Sequence, residues 1–370
     1  MSGWFLAALV TLGWTVGWWL LWRVPGLDHG EACPSRAGSS DVAVIIPARN
    51  EARSLPLLLD DLARQSLRPA EIVVVDDASE DDTVRVATLA GATVVRTGGP
   101  PPGWAGKPWA CWQGVRTTTA GVLVFLDADV RLAPDVLERL VATHERTGGL
   151  LSVQPHHVVG RPIEGFSMTP NIVVLAGTGA FMPVPTRPAL AFGPCLVCER
   201  RQYEAVGGHA AVRAAVAEDA ALARLFRAAD LDVALRAGDE AVTFRMYPDG
   251  VRPLLQGWSK NLAIGARAAP PIAASLSAVW VAALLATPAL TARLALSDGR
   301  ILLAAVVYAA MTLEVGWMGR RAGRFGRWPI VLFPISATVF VTLFAWSTIR
   351  IHVLGSVRWR GRRIAVDEPR

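Results

Sequence analysis

Three acidic pairs carry the residue types most suited to chemistry in this chain of 370 residues. Asp76 and Asp77 close the apolar run Ile72-Val73-Val74-Val75. Asp127-x-Asp129 closes Val122-Leu123-Val124-Phe125-Leu126, and Glu218-Asp219 follows about ninety residues later. An apolar run that ends in carboxylates predicts a buried strand whose carboxyl end reaches solvent. In an open α/β sheet those ends line the crevice where ligands bind. Two carboxylates one residue apart repel unless a cation or water relieves them, and hard oxygen ligands suit a divalent cation carrying phosphates. The pattern points to a metal-bound nucleotide. The plainer reading is a solvated strand end at Asp127-x-Asp129, and the acidic first turn of a helix at Glu218-Asp219.

Further candidates surround these pairs. Pro47-Ala48-Arg49-Asn50-Glu51 ends the first strand. Pro47 stops it, Asn50 and Glu51 can cap the next helix, and they can also reach a ribose or base. Ser79 is placed to cap a helix. Of 37 basic residues only Lys107 and Lys260 are lysines. An arginine bias relaxed at just these places suggests that a compact ammonium matters there, toward a phosphate or an acceptor carboxylate. Trp104, Trp109, Trp112 and Trp258 can stack on a sugar, line an apolar groove or anchor at a membrane interface. Cys195-x-x-Cys198 has metal or redox spacing but no second pair, so packing is the favoured account. His209 reads as a satisfied structural histidine rather than a ligand.

The elements that must position these residues alternate. Residues 42–47 read as a buried strand, 51–65 as a helix, 71–76 as a strand and 79–90 as a helix. A strand at 92–96 precedes a loop rich in Gly and Pro at 97–108. A helix at 109–118, a strand at 121–127 and an amphipathic helix at 134–146 follow. Beyond residue 150 the pattern loosens: strands at 151–159, 192–198 and 242–246, a helical or irregular apolar segment at 163–178, and a helix at 220–229. This alternation implies an α/β fold, a mostly parallel sheet with helices on both faces.

Hydrophobic residues make up 52% and charged residues 18% of the chain, too apolar for an ordinary soluble protein. Residues 1–22 carry no charged side chain and read as a retained membrane anchor. Apolar stretches at 272–294, 301–318 and 329–349 read as further spans. Glu314 interrupts the second and is expected to reach the membrane interface. Residues 271–370 carry a net charge of +8 and the remainder −2, which together give the +6 of the whole chain. The basic excess thus belongs to membrane-flanking loops and excludes a nucleic-acid footprint on the folded domain. Arginine clusters at 320–327 and 350–363 flank one span, so either that segment is re-entrant or interfacial, or the positive-inside rule is broken once.

Pro47-Ala48-Arg49-Asn50-Glu51, Asp76-Asp77-Ala78-Ser79, Asp127-x-Asp129 and Glu218-Asp219 stand in the order and spacing of family 2 glycosyltransferases, and residues 41–260 resemble that family. Gly103-Trp104-Ala105-Gly106-Lys107-Pro108, Met246-Tyr247-Pro248-Asp249-Gly250 and Gly257-Trp258-Ser259-Lys260-Asn261 are similar to its membrane-bound subgroup, which includes diaponeurosporenoate and hopanoid-associated glycosyltransferases. The resemblance implies a GT-A nucleotide-diphospho-sugar transferase fold with a Rossmann-like sheet and transmembrane helices at both ends. Expected boundaries are an anchor at 1–22, a linker at 23–40, the GT-A domain at 41–260, and an interfacial segment, spans and basic tail at 261–370.

By the same resemblance Asp76 or Asp77 holds the uracil or ribose, Asp127 and Asp129 bind the diphosphate through Mg²⁺ or Mn²⁺, and Asp219 is the general base supported by Glu218. Pro47, Asn50, Glu51, Lys107, Gln256, Trp258 and Lys260 complete the nucleotide-sugar site. Processive members carry Gln-x-x-Arg-Trp; here Gln256-Gly257-Trp258-Ser259-Lys260 departs from that order, which favours transfer of one sugar to a lipid. The expectation is an inverting enzyme of the cell membrane with a cytoplasmic catalytic domain, a nucleotide-sugar donor, UDP-linked by the resemblance, and a lipid or terpenoid acceptor. Its rivals are a polyprenyl-phosphate glycosyltransferase and a non-catalytic membrane scaffold.

Overall fold

The computed structural model describes residues 3–28, 41–187, 190–215, 217–246, 250–354, 356–359 and 362–365. Most of the expected linker, and Tyr247-Pro248-Asp249, lie outside the described residues. The strands are, in chain order, β1 (Val42–Ala48), β2 (Glu71–Asp76), β3 (Thr93–Arg96), β4 (Val122–Leu126), β5 (Val130–Leu132), β6 (Leu150–Gln154), β7 (His156–Val158), β8 (Cys195–Glu199), β9 (Val233–Ala237), β10 (Val242–Phe244), β11 (Gly323–Arg324), β12 (Ser356–Trp359) and β13 (Arg362–Ala365). The chain forms two compact units. One comprises Pro25–His156 and Pro188–Phe244; the other comprises Met1–Val24, His157–Arg187 and Arg245–Arg370.

The first unit holds a seven-stranded sheet in the order β3-β2-β1-β4-β8-β6-β9. Strands β1, β2, β3 and β4 pair in parallel, as do β6 and β9. Only β8 runs against its neighbours β4 and β6. The central strands β1 and β4 are almost wholly buried, as a sheet covered on both faces requires. Helix Gly106–Thr117 lies close on this sheet: a Cβ on Gly114 would sit 2.5 Å from Ile45 and 3.1 Å from Val75, so only glycine permits the approach. Strand β5 pairs antiparallel with β10. It is pinned by the buried Asp61, which accepts hydrogen bonds from the Arg131 guanidinium at 2.6 and 2.9 Å and from Leu132 N at 3.1 Å. Those bonds hold the Asp61 carboxyl below its ordinary range although burial works against them.

Two local expectations change. Ser79 does not cap a helix; its hydroxyl accepts the Asn50 N–H at 3.0 Å, and the helix starts only at Thr83. The single strand expected at 151–159 is two strands, β6 and β7, broken at Pro155. Cys195 and Cys198 are free, buried thiols on β8. Three positions apart on a strand, they project to opposite faces, and a shared metal or disulfide is excluded by that alternation.

The second unit is helical. Among the described residues, Gly3–Leu20, Pro271–Leu296, Ile301–Ala322 and Phe333–Arg350 are long and apolar enough to cross a membrane. The first packs on the second through small residues: a Cβ on Gly13 would overlap the Ala283 methyl. Large apolar side chains such as Trp4 and Leu302 are exposed at 88% and 80%, as on a lipid-facing surface. Glu314 does not reach an interface. It is fully buried, takes the Trp280 indole N–H on Oε2 at 3.2 Å, and faces the bare backbone of Gly17 with Oε1. The reason is packing: helix Ile301–Ala322 turns this residue toward Gly17 and Trp280 rather than outward. Residues 261–268, the start of the expected interfacial segment, belong to a helix that begins earlier, Val251–Ala268.

Candidate active site

In the first unit, β1 pairs with β2 through Ala48 but with β4 only through Ile45. Pro47 has no N–H to continue a ladder. The sheet therefore parts between β1 and β4 at its carboxyl edge, the point where the strand order also reverses. Asp76 and Asp77 border one side of this opening and Asp127 the other.

On the Asp76 side, the chain is tied by its own polar groups. Asp76 is 5% exposed and accepts the Ser79 N–H at 3.0 Å. Asn50 Oδ1 accepts the Glu80 N–H at 2.8 Å, and Asp77 N donates to Ala48 O at 2.9 Å. Asn50 and Ala78 hold left-handed backbones, φ 55° and 57°, which turn both loops back on each other. Glu51 donates its N–H to Thr83 Oγ1 at 2.8 Å and takes the Ser54 hydroxyl on its carboxylate. These residues form one edge of the opening.

On the other side, a tight turn follows β4, with Val130 N donating to Asp127 O at 3.1 Å. Asp127 N in turn donates to Pro194 O at 2.9 Å, which fastens the start of β8 alongside. Ser152 holds the same segment from β6: its hydroxyl accepts the Phe192 N–H at 2.6 Å and donates to Phe192 O at 3.2 Å. Gly193 is thus fixed beside the acids. Lys107, in the first turn of helix Gly106–Thr117, places Nζ 2.7 Å from Asp127 Oδ1 and 3.2 Å from Glu218 Oε1, and donates to Gly193 O at 3.2 Å. A Cβ on Gly193 would lie 2.9 Å from Asp219 Oδ2 and 3.1 Å from Lys107 Nζ. Residues 107, 127, 193, 218 and 219 therefore meet in one place.

The electrostatics follow from that convergence. Burial opposes the Lys107 charge, but Asp127 and then Glu218 outweigh it and hold the ammonium well above the usual lysine range. Burial, then the adjacent Glu218 carboxylate, raise Asp219 to about 6, with Lys107 pulling the other way. Asp219 Oδ1 accepts the Ala220 N–H at 2.8 Å at the N-terminus of helix Glu218–Ala228. One oxygen is thereby oriented by the helix and the other faces Gly193. His209 is buried, and its Nδ1 lies 2.9 Å from the Tyr203 hydroxyl; burial lowers the ring to about 4, so it is neutral near pH 7.

Gln256, Trp258 and Lys260 lie on helix Val251–Ala268 in the second unit. The Trp258 indole is 3% exposed and donates to Ser167 Oγ at 3.3 Å, so it is a packing residue there. The side chains of Gln256 and Lys260 lie outside the described residues. Gly193 carried no signal that sequence reading singled out; only a loop that must pass beside three acids explains its missing side chain. Lys107 was legible through the scarcity of lysine.

The oxygen-only set of Asp127 and Asp129 suits Mg²⁺ or Mn²⁺. Among the described residues no three His, Cys, Asp or Glu side chains gather to cage a metal by themselves. Two carboxylates completed by substrate phosphates is the usual arrangement for Mg²⁺, so the residues fit a cation delivered with a diphosphate.

Known proteins resemble this chain in two ways. The family model described as Glycosyl transferase family 2 matches residues 43–179. The 4,4'-diaponeurosporenoate glycosyltransferase of Staphylococcus aureus strain USA300 is 33% identical over 334 residues, which is 88% of this chain and 89% of that protein. The protein of the same name from strain bovine RF122 / ET3-1 is 33% identical over 337 residues, with the same coverage. Among solved structures, a mannosyltransferase from Pyrobaculum calidifontis in complex with GDP-Man and Mn²⁺ superposes with a TM-score of 0.54 at 19% identity, over 95% of this chain and 98% of its own.

Proposed function

The chain belongs to glycosyl transferase family 2 and is a glycosyltransferase of the GT-A fold, and from that premise we propose that it moves a sugar from a nucleotide diphosphate to a long apolar acceptor at the cytoplasmic face of a membrane. The observation that carries the reading is the convergence of Asp127, Lys107, Glu218 and Asp219 beside Gly193 at the open carboxyl edge of the sheet. The relatives' name supplies the acceptor class, a carotenoid-type acid. A UDP-sugar is the proposed donor; the mannosyltransferase with GDP-Man and Mn²⁺ makes GDP-linked sugars the comparison to run.

Asp127 and Asp129 would hold Mg²⁺ or Mn²⁺, whose chemistry is to neutralise charge growing on the leaving diphosphate. Asp76 and Asp77 face the nucleoside, with Pro47, Asn50 and Glu51 shaping that edge. Asp219 stands as the general base. Raised to about 6, it is ionised at neutral pH yet still basic enough to take the proton from an acceptor hydroxyl or carboxyl. Attack on the anomeric carbon from the face opposite the diphosphate inverts the configuration. Glu218 keeps the Lys107 ammonium within reach of the base. An acceptor already ionised needs no base, and Asp219 would then orient it.

The test is transfer in membranes holding the full chain, with and without Mn²⁺, across UDP-, GDP- and dTDP-sugars, followed by mass spectrometry of the extracted lipids. A metal-dependent hexose adduct on a terpenoid acid or related lipid is the expected result. Absence of turnover with every donor, in folded protein with carotenoid acids supplied, refutes it.

A further inference from the structure

Lys107 is saturated in an unusual way. Its ammonium has three N–H donors, and three oxygens from three separate segments converge on it: Asp127 Oδ1 at 2.7 Å, Glu218 Oε1 at 3.2 Å and Gly193 O at 3.2 Å. A lysine in the first turn of a helix opposes the helix dipole, so its position is set by these partners and not by the helix. A planar guanidinium does not fit three converging oxygens, which accounts for lysine here in a chain where 35 of the 37 basic residues are arginine. Asp127 is also the carboxylate read above as a metal ligand. On that reading a single carboxylate, Asp127, answers two cations.

We propose that Lys107 is a positioning residue that acts as a built-in counter-ion at Asp127, in competition with the divalent cation for that carboxylate. When the cation takes Asp127, the ammonium keeps Glu218 and Gly193 as partners, and its charge shifts toward Glu218 and Asp219. Arrival of the cation and diphosphate at one side of the site is in this way coupled to the arrangement of the base on the other. The coupling is reciprocal: whatever strengthens Lys107 on Asp127 weakens the cation there. The proposal rests on the reading of Asp127 as a metal ligand.

The test is Mn²⁺ binding alone, with no sugar nucleotide, to the full chain in detergent, followed by electron paramagnetic resonance or calorimetry. Lys107→Gln should bind Mn²⁺ about tenfold more tightly than the unmodified protein, within the usual range for coupled sites. Its kcat for transfer should fall. Asp127→Asn should lose Mn²⁺ binding. Lys107→Arg, which keeps the charge without the three-point fit, should fall between the unmodified protein and Lys107→Gln, and it carries the test if the glutamine variant does not fold. Unchanged or weaker Mn²⁺ affinity in both folded Lys107 variants overturns the competition while leaving Asp127 as a ligand. Undiminished Mn²⁺ binding in Asp127→Asn removes the premise, and this proposal with it.

Discussion

Around Lys107 the carboxyl groups of Asp127 and Glu218 meet one ammonium, with Asp219 at the same glycine. Around Glu314 a single carboxyl group meets an indole N–H and the bare backbone of Gly17. Both sites rest on a glycine that lets oxygen approach the main chain. They differ in what answers the acid. The first site is partly open, with Lys107 and Asp127 each 30% exposed, so ionised groups keep some water and a counter-charge. The second is fully buried among apolar helices, where the carboxyl group takes an indole N–H. The first site answers its acids with a counter-charge; the second answers its acid with a single hydrogen bond between helices.

The largest effect that tests this contrast is Asp219→Asn. Transfer should drop about a hundredfold to ten-thousandfold while donor binding is kept, the usual cost of losing a positioned base. Asp129→Ala should instead lose donor binding and transfer together. Equal, complete loss of donor binding in both variants would merge the two roles. If the acceptor is an ionised carboxylate that needs no base, the Asn variant keeps a sizeable share of the rate.

Acidity gives the next effect. With Asp219 at about 6, kcat/KM should decline about tenfold per pH unit below 6. The stability consequence has the opposite sense. The folded-state value lies above the ordinary 3.8, so the native state holds this proton more tightly than the unfolded chain does. Stability from this group is present below 3.8 and is lost as pH rises to about 6. Asp219→Asn should therefore melt higher than the unmodified protein at pH 7.5 and not at pH 4. A lower melting temperature at pH 7.5 would mean that the carboxylate stabilises the fold.

Gly193→Ala should act on the site alone. Its methyl would press on Asp219 Oδ2 and Lys107 Nζ, both ends of side chains that can shift, so folding survives. A displacement of a few tenths of an ångström at the base should lower kcat about tenfold, with the melting temperature unchanged. Little change in kcat would show that the base is not held at Gly193.

These residues also show what could be read without a structure. The apolar runs before Asp76 and Asp127 reveal β2 and β4 because buried parallel strands are uninterruptedly hydrophobic. The strand written as 71–76 is β2 to the residue. Glu218 and Asp219 stand out only by the resemblance to the family's motif order; alone they read as the acidic first turn of a helix. The short β5 and the strand β9 were not legible, since Arg131 and Arg236 interrupt their brief apolar runs. Nor was the reversed direction of β8, because strand direction is set by the connection and leaves no mark in a strand's own residues. The meeting of Lys107, Asp127 and Gly193 spans 86 residues of sequence, and no local pattern encodes it. Glu314 was misplaced for a related reason: its depth depends on which way three helices turn, and its position along one of them does not fix that.

The smallest effect belongs to Glu314, and it is the one that can break the comparison. If this acid only supplies an acceptor to Trp280, Glu314→Gln keeps that acceptor and should change the melting temperature in detergent little. Glu314→Ala leaves the indole N–H without its partner and opens a gap against Gly17. Hydrogen bonds between membrane helices are worth about 0.6 kcal/mol on average and reach about 1.7, and the lost packing adds to this. Trp280→Phe removes the donor instead, and together with Glu314→Ala it should cost little more than the alanine change alone. Additive losses would show that the two side chains act separately. A loss of transfer in Glu314→Gln with the melting temperature intact would be the sharper reversal. It would mean that the ionisable group itself is needed, and that this buried acid among the apolar helices acts in transfer.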